Sequence, residues 1–269
     1  MAAKKKGIKL ETIEYVKSGI DDPHERLLIG TATLGVVRME WASYRFGQVI
    51  PCNWAHGSIT TGINTCMPMG HLVADAQNIV IDQAVKQGHD WVFFHEDDVL
   101  LPSDCFLRLN EYMISKKYPM VSGLYYLKGI PSEPLVYRGR GTAYYDDWKL
   151  GDKVWVDGVP TGCLLIHRSL FKAVYDVSES YIALGNRPVR RVFETPSKVH
   201  VDPETGKKSK LCGTSDLYFC DRVIDNGLLK VAGWPKLARK KYPFLIDTKI
   251  FCGHIALNTG QTYPATWKG

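Results

Sequence analysis

Glu96, Asp97 and Asp98 are three consecutive carboxylates, one residue beyond the apolar run Trp91-Val92-Phe93-Phe94, with His95 between. Without a counterion they would repel one another, and burial would penalise each charge further. A divalent cation removes both costs. Carboxylate oxygens, completed by water and phosphate oxygens, suit Mg2+ or Mn2+. In extended backbone Glu96 and Asp98 project to one side and Asp97 to the other. A cation held there bridges a diphosphate and stabilises its charge as it leaves. An isolated acidic triplet would be an exposed turn; the apolar run before it and Pro102-Ser103 at a helix start after it favour a ligand site.

Two more residues are candidates for chemistry. Asp216 stands at the head of a helix over 216–226, where it serves either as a first-turn acid opposite the helix dipole or as a general base; Ser215 is the alternative cap. His254, among Phe251, Cys252 and Ile255, is either a ligand or a satisfied core histidine. His95 shares strand parity with Asp97 and reads as its supporting partner. Tyr125, Tyr126 and Trp155 lie near strand ends, where a base or sugar could stack.

The elements that must position these residues alternate. Leu27–Gly30 reads as a first buried strand, 36–47 as a helix ending near Gly47, and 72–86 as a helix with Leu72, Ala76, Ile79, Val80 and Ala84 on one face and Gly88 as its stop. The 91–94 run reads as a central parallel strand, followed by a helix with Phe106, Leu109 and Met113 on one face. Met120–Leu127 suggests another strand. Segments 155–157 and 163–166 read as strands flanking the turn 158–162, with Ser169 capping a short helix through Tyr175. Asp202–Gly206 reads as a hairpin tip, Asn226-Gly227 as a helix end, and the stretch from Trp234, with Pro235, Pro243 and Pro264, as irregular. Strand–helix alternation implies an α/β fold with a mostly parallel sheet, helices on its faces, and ligands beyond the carboxyl ends of the strands.

The chain has 269 residues, 45% of them hydrophobic, and a formal net charge of +6. That fits an anionic ligand such as a nucleotide diphosphate. The seven cysteines are scattered with no C-x-x-C pair, which argues against a zinc module or a disulfide framework and for reduced thiols in the cytoplasm. No apolar region follows the basic start MAAKKKGIKL, so no signal peptide is expected, and no apolar stretch reaches the roughly 18 residues of a membrane span. Basic stretches at 187–210 and 236–241 are either solvated faces or contacts for a polyanion, nucleic acid being the sharpest case.

Together, strand–EDD–V-x-x-P–helix resembles the D-x-D region of GT-A glycosyltransferases, in particular those similar to glycosyltransferase family 2. LLIGTATLGVVRMEWA resembles their first strand and donor loop, ADAQNIVIDQAVKQGHDW the helix before the metal motif, GVPTGCLLIHRSLF the acceptor-side strand and helix, TSDLYFCDRVIDNG the acidic helix head, and CGHIAL the late histidine segment; the pieces keep family order over about residues 27–257.

The resemblance implies a GT-A type, Rossmann-like domain over 26–256, with a small antiparallel acceptor-side ribbon, an N-terminal arm over 1–25 and a tail over 257–269. It implies a donor-binding set of Thr31, Ala32, Thr33, Gln77, Asn78, Glu96, Asp97 and Gly162, the last giving close backbone approach to sugar or acceptor. The implied metal set is Asp98, Glu96 and His254, and Asp216 is the base of an inverting transfer. Mn2+ or Mg2+ would be the ion and a UDP-sugar the first choice of donor, with a glycan, protein or hydroxymethylated DNA base as acceptor. Two positions depart from the family. Gln77 replaces the arginine before Asn78, and Ser215 replaces the acid before Asp216, leaving Asp216 as the one carboxylate there. Two other classes compete. A nucleotidyltransferase would be expected to carry a basic, Gly-rich phosphate loop, which GTATLGVV lacks. A non-catalytic sugar- or nucleotide-binding relative would not need Glu96, Asp98 and Asp216 intact.

Overall fold

The structure, a computed structural model, describes residues 27–55, 65–140, 143–201 and 208–265. The expected arm over 1–25 and the tip Asp202–Gly206 lie outside the described residues. In chain order the elements are β1 (Leu27–Gly30), α1 (Met39–Phe46), β2 (Thr65–Cys66), α2 (Val73–Gln87), β3 (Trp91–His95), β4 (Val99–Leu100), α3 (Cys105–Ser115), β5 (Met120–Leu124), β6 (Tyr137–Arg138), β7 (Ala143–Tyr144), β8 (Lys153–Val156) and β9 (Cys163–His167). There follow α4 (Arg168–Asp176), β10 (Ser180–Ala183), β11 (Arg187–Arg190), β12 (Ser197–Val201), β13 (Lys208–Cys212), α5 (Ser215–Asp225), α6 (Leu228–Val231), α7 (Pro235–Ala238), β14 (Phe244–Phe251), β15 (Gly253–Ile255) and β16 (Thr262–Tyr263).

Seven strands form the central sheet in the order β2-β1-β3-β9-β5-β14-β8. β1 runs parallel to β2 and β3, and β14 parallel to β5; β9 is antiparallel between β3 and β5, and β8 antiparallel to β14. The sheet is therefore largely parallel, with β9 and β8 reversed. Alternation along β3 places its two faces in different cores. Val92 and Phe94 join Ile79 and Val80 of α2, Phe171 of α4 and Phe219 of α5. Trp91 and Phe93 join Phe106 and Leu109 of α3. Burial on both faces explains why β3 reads as a continuous apolar run rather than an alternating one. Two antiparallel ribbons, β10–β11 and β12–β13, stand apart from this sheet. Among the described residues no helix is long and apolar enough to cross a membrane.

β8 and β9 flank the 158–162 turn as expected, and they enter the sheet apart, β8 beside β14 and β9 between β3 and β5. Two expectations are corrected. The N-cap of α4 is His167, whose Nδ1 accepts from Ser169 N at 3.2 Å. The stretch from Trp234 is not irregular: it holds α7, β14, β15 and β16. Pro243 immediately precedes β14, where its missing N–H costs the ladder nothing. Asp247 and Thr248 inside β14 are buried and satisfied: Tyr112 Oη donates to Asp247 Oδ2 at 2.6 Å, and Thr248 Oγ1 to Asp152 O at 2.8 Å.

Candidate active site

The acidic segment leaves β3 as a turn rather than as extended strand. Val99 N donates to Glu96 O at 3.2 Å. His95 Nε2 donates to Val99 O at 2.7 Å, and Trp41 Nε1 to Glu96 O at 2.8 Å. A carbonyl oxygen only accepts, so the His95 proton is on Nε2. Burial drives that ring's pKa down to about 3 and keeps it neutral. His95 thus braces the turn through its backbone, not by pairing with Asp97 as parity suggested.

Because residues 97 and 98 turn, the three carboxylates diverge to three sets of partners. Glu96 Oε1 accepts from Thr161 Oγ1 at 2.7 Å, and Thr161 Oγ1 accepts from Gln77 Nε2 at 3.0 Å. Asp97 accepts from the Thr33 hydroxyl. Asp98 Oδ2 contacts Lys128 Nζ and lies 3.4 Å from His254 Nε2, while its Oδ1 is buried with no partner. His254 reaches this position by long-range pairing. β15 pairs antiparallel with β4, setting His254 opposite Val99, and Ile255 N donates to Asp98 O at 2.8 Å.

The electrostatics follow from burial. Desolvation, reinforced by Asp98, Asp216 and Asp97, pushes Glu96 up to about 8 against the Thr161 hydrogen bond. Burial also raises Asp97. It would raise Asp98 too, but His254 and Lys128 outweigh it and hold that carboxyl below its usual range. Asp216, in the first turn of α5, is raised by burial against the Thr214 hydroxyl and Leu217 N. It lies close enough to act on Glu96, Tyr125 and Tyr137.

The arrangement has a geometric test for a metal. His254 Nδ1 lies 2.7 Å from Tyr126 O, so Nδ1 carries its hydrogen. That leaves Nε2 facing Asp98 Oδ2 at 3.4 Å, where a proton on the ring or a bound cation would join the two. Asp98 and His254 therefore fit a divalent ion whose remaining positions fall to water and phosphate oxygens. Glu96 does not complete the set, being held by Thr161. Among the described residues no group of three His, Cys, Asp or Glu side chains is arranged to hold a metal, so the expected set of Asp98, Glu96 and His254 reduces to two.

The expected donor set divides. Thr33 and Gln77 reach the acidic turn, directly and through Thr161. Thr31 is buried and donates its N–H to Cys66 O, and Ala32 is half-buried beside it. Asn78 is committed elsewhere: its Oδ1 accepts from Val192 N and Phe193 N at 2.9 and 2.7 Å, and its Nδ2 donates to Tyr181 Oη and Phe193 O. Gly162 does permit a close approach, but by Tyr125. A Cβ there would lie 2.4 Å from Tyr125 Oη, which accepts from Gly162 N at 2.8 Å. Tyr125 is thus core, Tyr126 serves His254 through its carbonyl, and Trp155 lies under Lys240 Nζ at 3.4 Å.

The basic run at 187–210 is partly spent on the fold. Arg190 donates to the carbonyls of Tyr175, Asp176 and Ser178, and Arg191 pairs with Glu179 and Glu194. Lys128, Trp41 and Thr161 were not legible as site residues, since each reaches the turn from a distant segment.

No family model matches this sequence, and no curated protein matches it. Among solved structures it is similar to the crystal structure of A197 from STIV, at 15% identity over 91% of this chain and 98% of that one, with a TM-score of 0.49. A likeness at that level carries no argument about activity.

Proposed function

We propose that this protein is a GT-A type, metal-dependent glycosyltransferase that takes its sugar from a nucleotide-sugar donor. The observation that carries the reading is the Asp98–His254 pair, with Oδ2 and Nε2 3.4 Å apart beside the carboxyl end of β3. The order of sequence segments supports the same class. When bound, Mn2+ or Mg2+ would neutralise the diphosphate as it leaves. Asp98 and His254 hold that ion, and Thr33 and Ala32 line the entry from β1. Asp216 takes the acceptor hydroxyl proton; its raised pKa brings it nearer the working pH than an exposed aspartate. Thr161 and Gln77 fix Glu96 so that it does not swing into the ion's place.

The test is thermal stability with UDP, GDP, CDP and dTDP and their sugar conjugates, with Mn2+ and again with EDTA. A ligand at about 100 times its Kd stabilises by about 2.7 kcal/mol, a shift of several degrees. One nucleotide should give that shift, and it should vanish with EDTA and in Asp98→Ala. In the transfer assay that follows, Asp216→Asn should lose about 10²–10⁴-fold in kcat with the nucleotide shift retained. If no nucleotide shifts the protein with either metal, the donor site is wrongly assigned.

A further inference from the structure

Lys128 is the one cation that touches the Asp98–His254 pair among the described residues, and no sequence motif drew attention to it. It stands where the chain leaves β5 and turns back. Leu127 N donates to Glu133 O at 2.8 Å and Leu135 N to Tyr125 O at 2.9 Å, which closes the stem of a narrow loop. Ser132 Oγ donates to Gly129 O across its tip. Tyr126, in the same stem, supplies the carbonyl that orients His254. One loop therefore sets both members of the pair: it fixes the His254 ring through Tyr126 and covers Asp98 Oδ2 with Lys128 Nζ.

That contact occupies the Asp98 oxygen nearest His254 Nε2, the place where an ion bridging the two would bind. The ammonium sits at the end of a flexible four-carbon stem and is itself only half-buried, so it can swing away when another cation takes over Asp98. Once displaced, Lys128 stays within side-chain reach of the same pocket, where a strongly hydrated point charge suits phosphate oxygens.

We propose that Lys128 is an exchangeable cation of the donor site: its ammonium holds Asp98 when neither metal nor diphosphate is bound, passes to the anionic oxygens of a diphosphate when one binds, and yields Asp98 to a metal. This deepens the glycosyltransferase reading and rests on it for the identity of the anion.

The experiment uses the full chain, Mn2+ alone and inorganic pyrophosphate alone. Calorimetry in EDTA measures pyrophosphate affinity; Mn2+ titration followed by electron paramagnetic resonance, with no nucleotide, measures the metal. Lys128→Gln should weaken pyrophosphate about tenfold or more, since a charge-assisted hydrogen bond is lost. It should tighten Mn2+ about two- to fivefold, since the competing ammonium is gone. Lys128→Arg should keep pyrophosphate affinity near wild type. Pyrophosphate affinity unchanged in Lys128→Gln, or Mn2+ no tighter, overturns the proposal. A wild-type protein that ignores pyrophosphate in EDTA yet is stabilised by a nucleotide with Mn2+ overturns it too, and leaves the glycosyltransferase reading standing.

Discussion

Glu96 faces inward at the end of a buried strand with three other carboxylates near it, and its protonation should be visible in the stability of the whole chain. Its ordinary value is 4.5 and its folded value about 8. A carboxyl whose pKa is higher folded than unfolded binds the extra proton in the folded state. Its stabilising contribution is therefore full below about 4.5 and is lost as pH rises through about 8. Glu96→Gln keeps the Thr161 contact without the charge. Its melting temperature should match wild type near pH 4.5 and exceed it near pH 8, by thermal denaturation without metal; identical pH profiles would show that Glu96 stays ionised. The sequence revealed the residue types of this cluster but not their directions. Parity assumed extended backbone, and the turn braced by His95 and Trp41 replaced one shared ligand site with three separate partners.

At the scale of elements, the ribbon β10–β11 shows how a charge run misleads. Arg190 looks like a phosphate contact in sequence, yet it donates to the carbonyls of Tyr175 and Asp176 at the end of α4 and of Ser178 just beyond it, and lies over the Tyr175 ring at 5.1 Å. It acts as a cationic cap on a helix C-terminus. Arg190→Ala should cost about 1–2 kcal/mol in denaturant unfolding and leave affinity for duplex DNA unchanged; a large drop in DNA binding with normal stability would return the ribbon to the nucleic-acid reading. Helices α2, α3 and α5 and strand β3 were legible because their apolar spacing records which face is buried. β4 and β15 were not: each is too short to carry a period, and their pairing, which brings His254 to Asp98, joins segments about 150 residues apart.

For the whole molecule, the sheet is assembled out of chain order, and the strand that sequence reading passed over lies inside it, one strand from an edge. β14 lies between β5 and β8 with Phe244, Leu245, Ile246 and Ile250 buried. Its apolar run is three residues long before Asp247, Thr248 and Lys249, and a short run beside prolines reads as loop until its partners are known. Ile246→Ala should destabilise the chain by about 2–5 kcal/mol, measured by urea denaturation; a cost below about 1 kcal/mol would mean β14 adds little to the sheet. The position of β14 also sets a timetable for biosynthesis. During translation β5 is made some 120 residues before its neighbour, so the nascent chain carries an unpaired sheet edge until the ribosome has released residues 244–251.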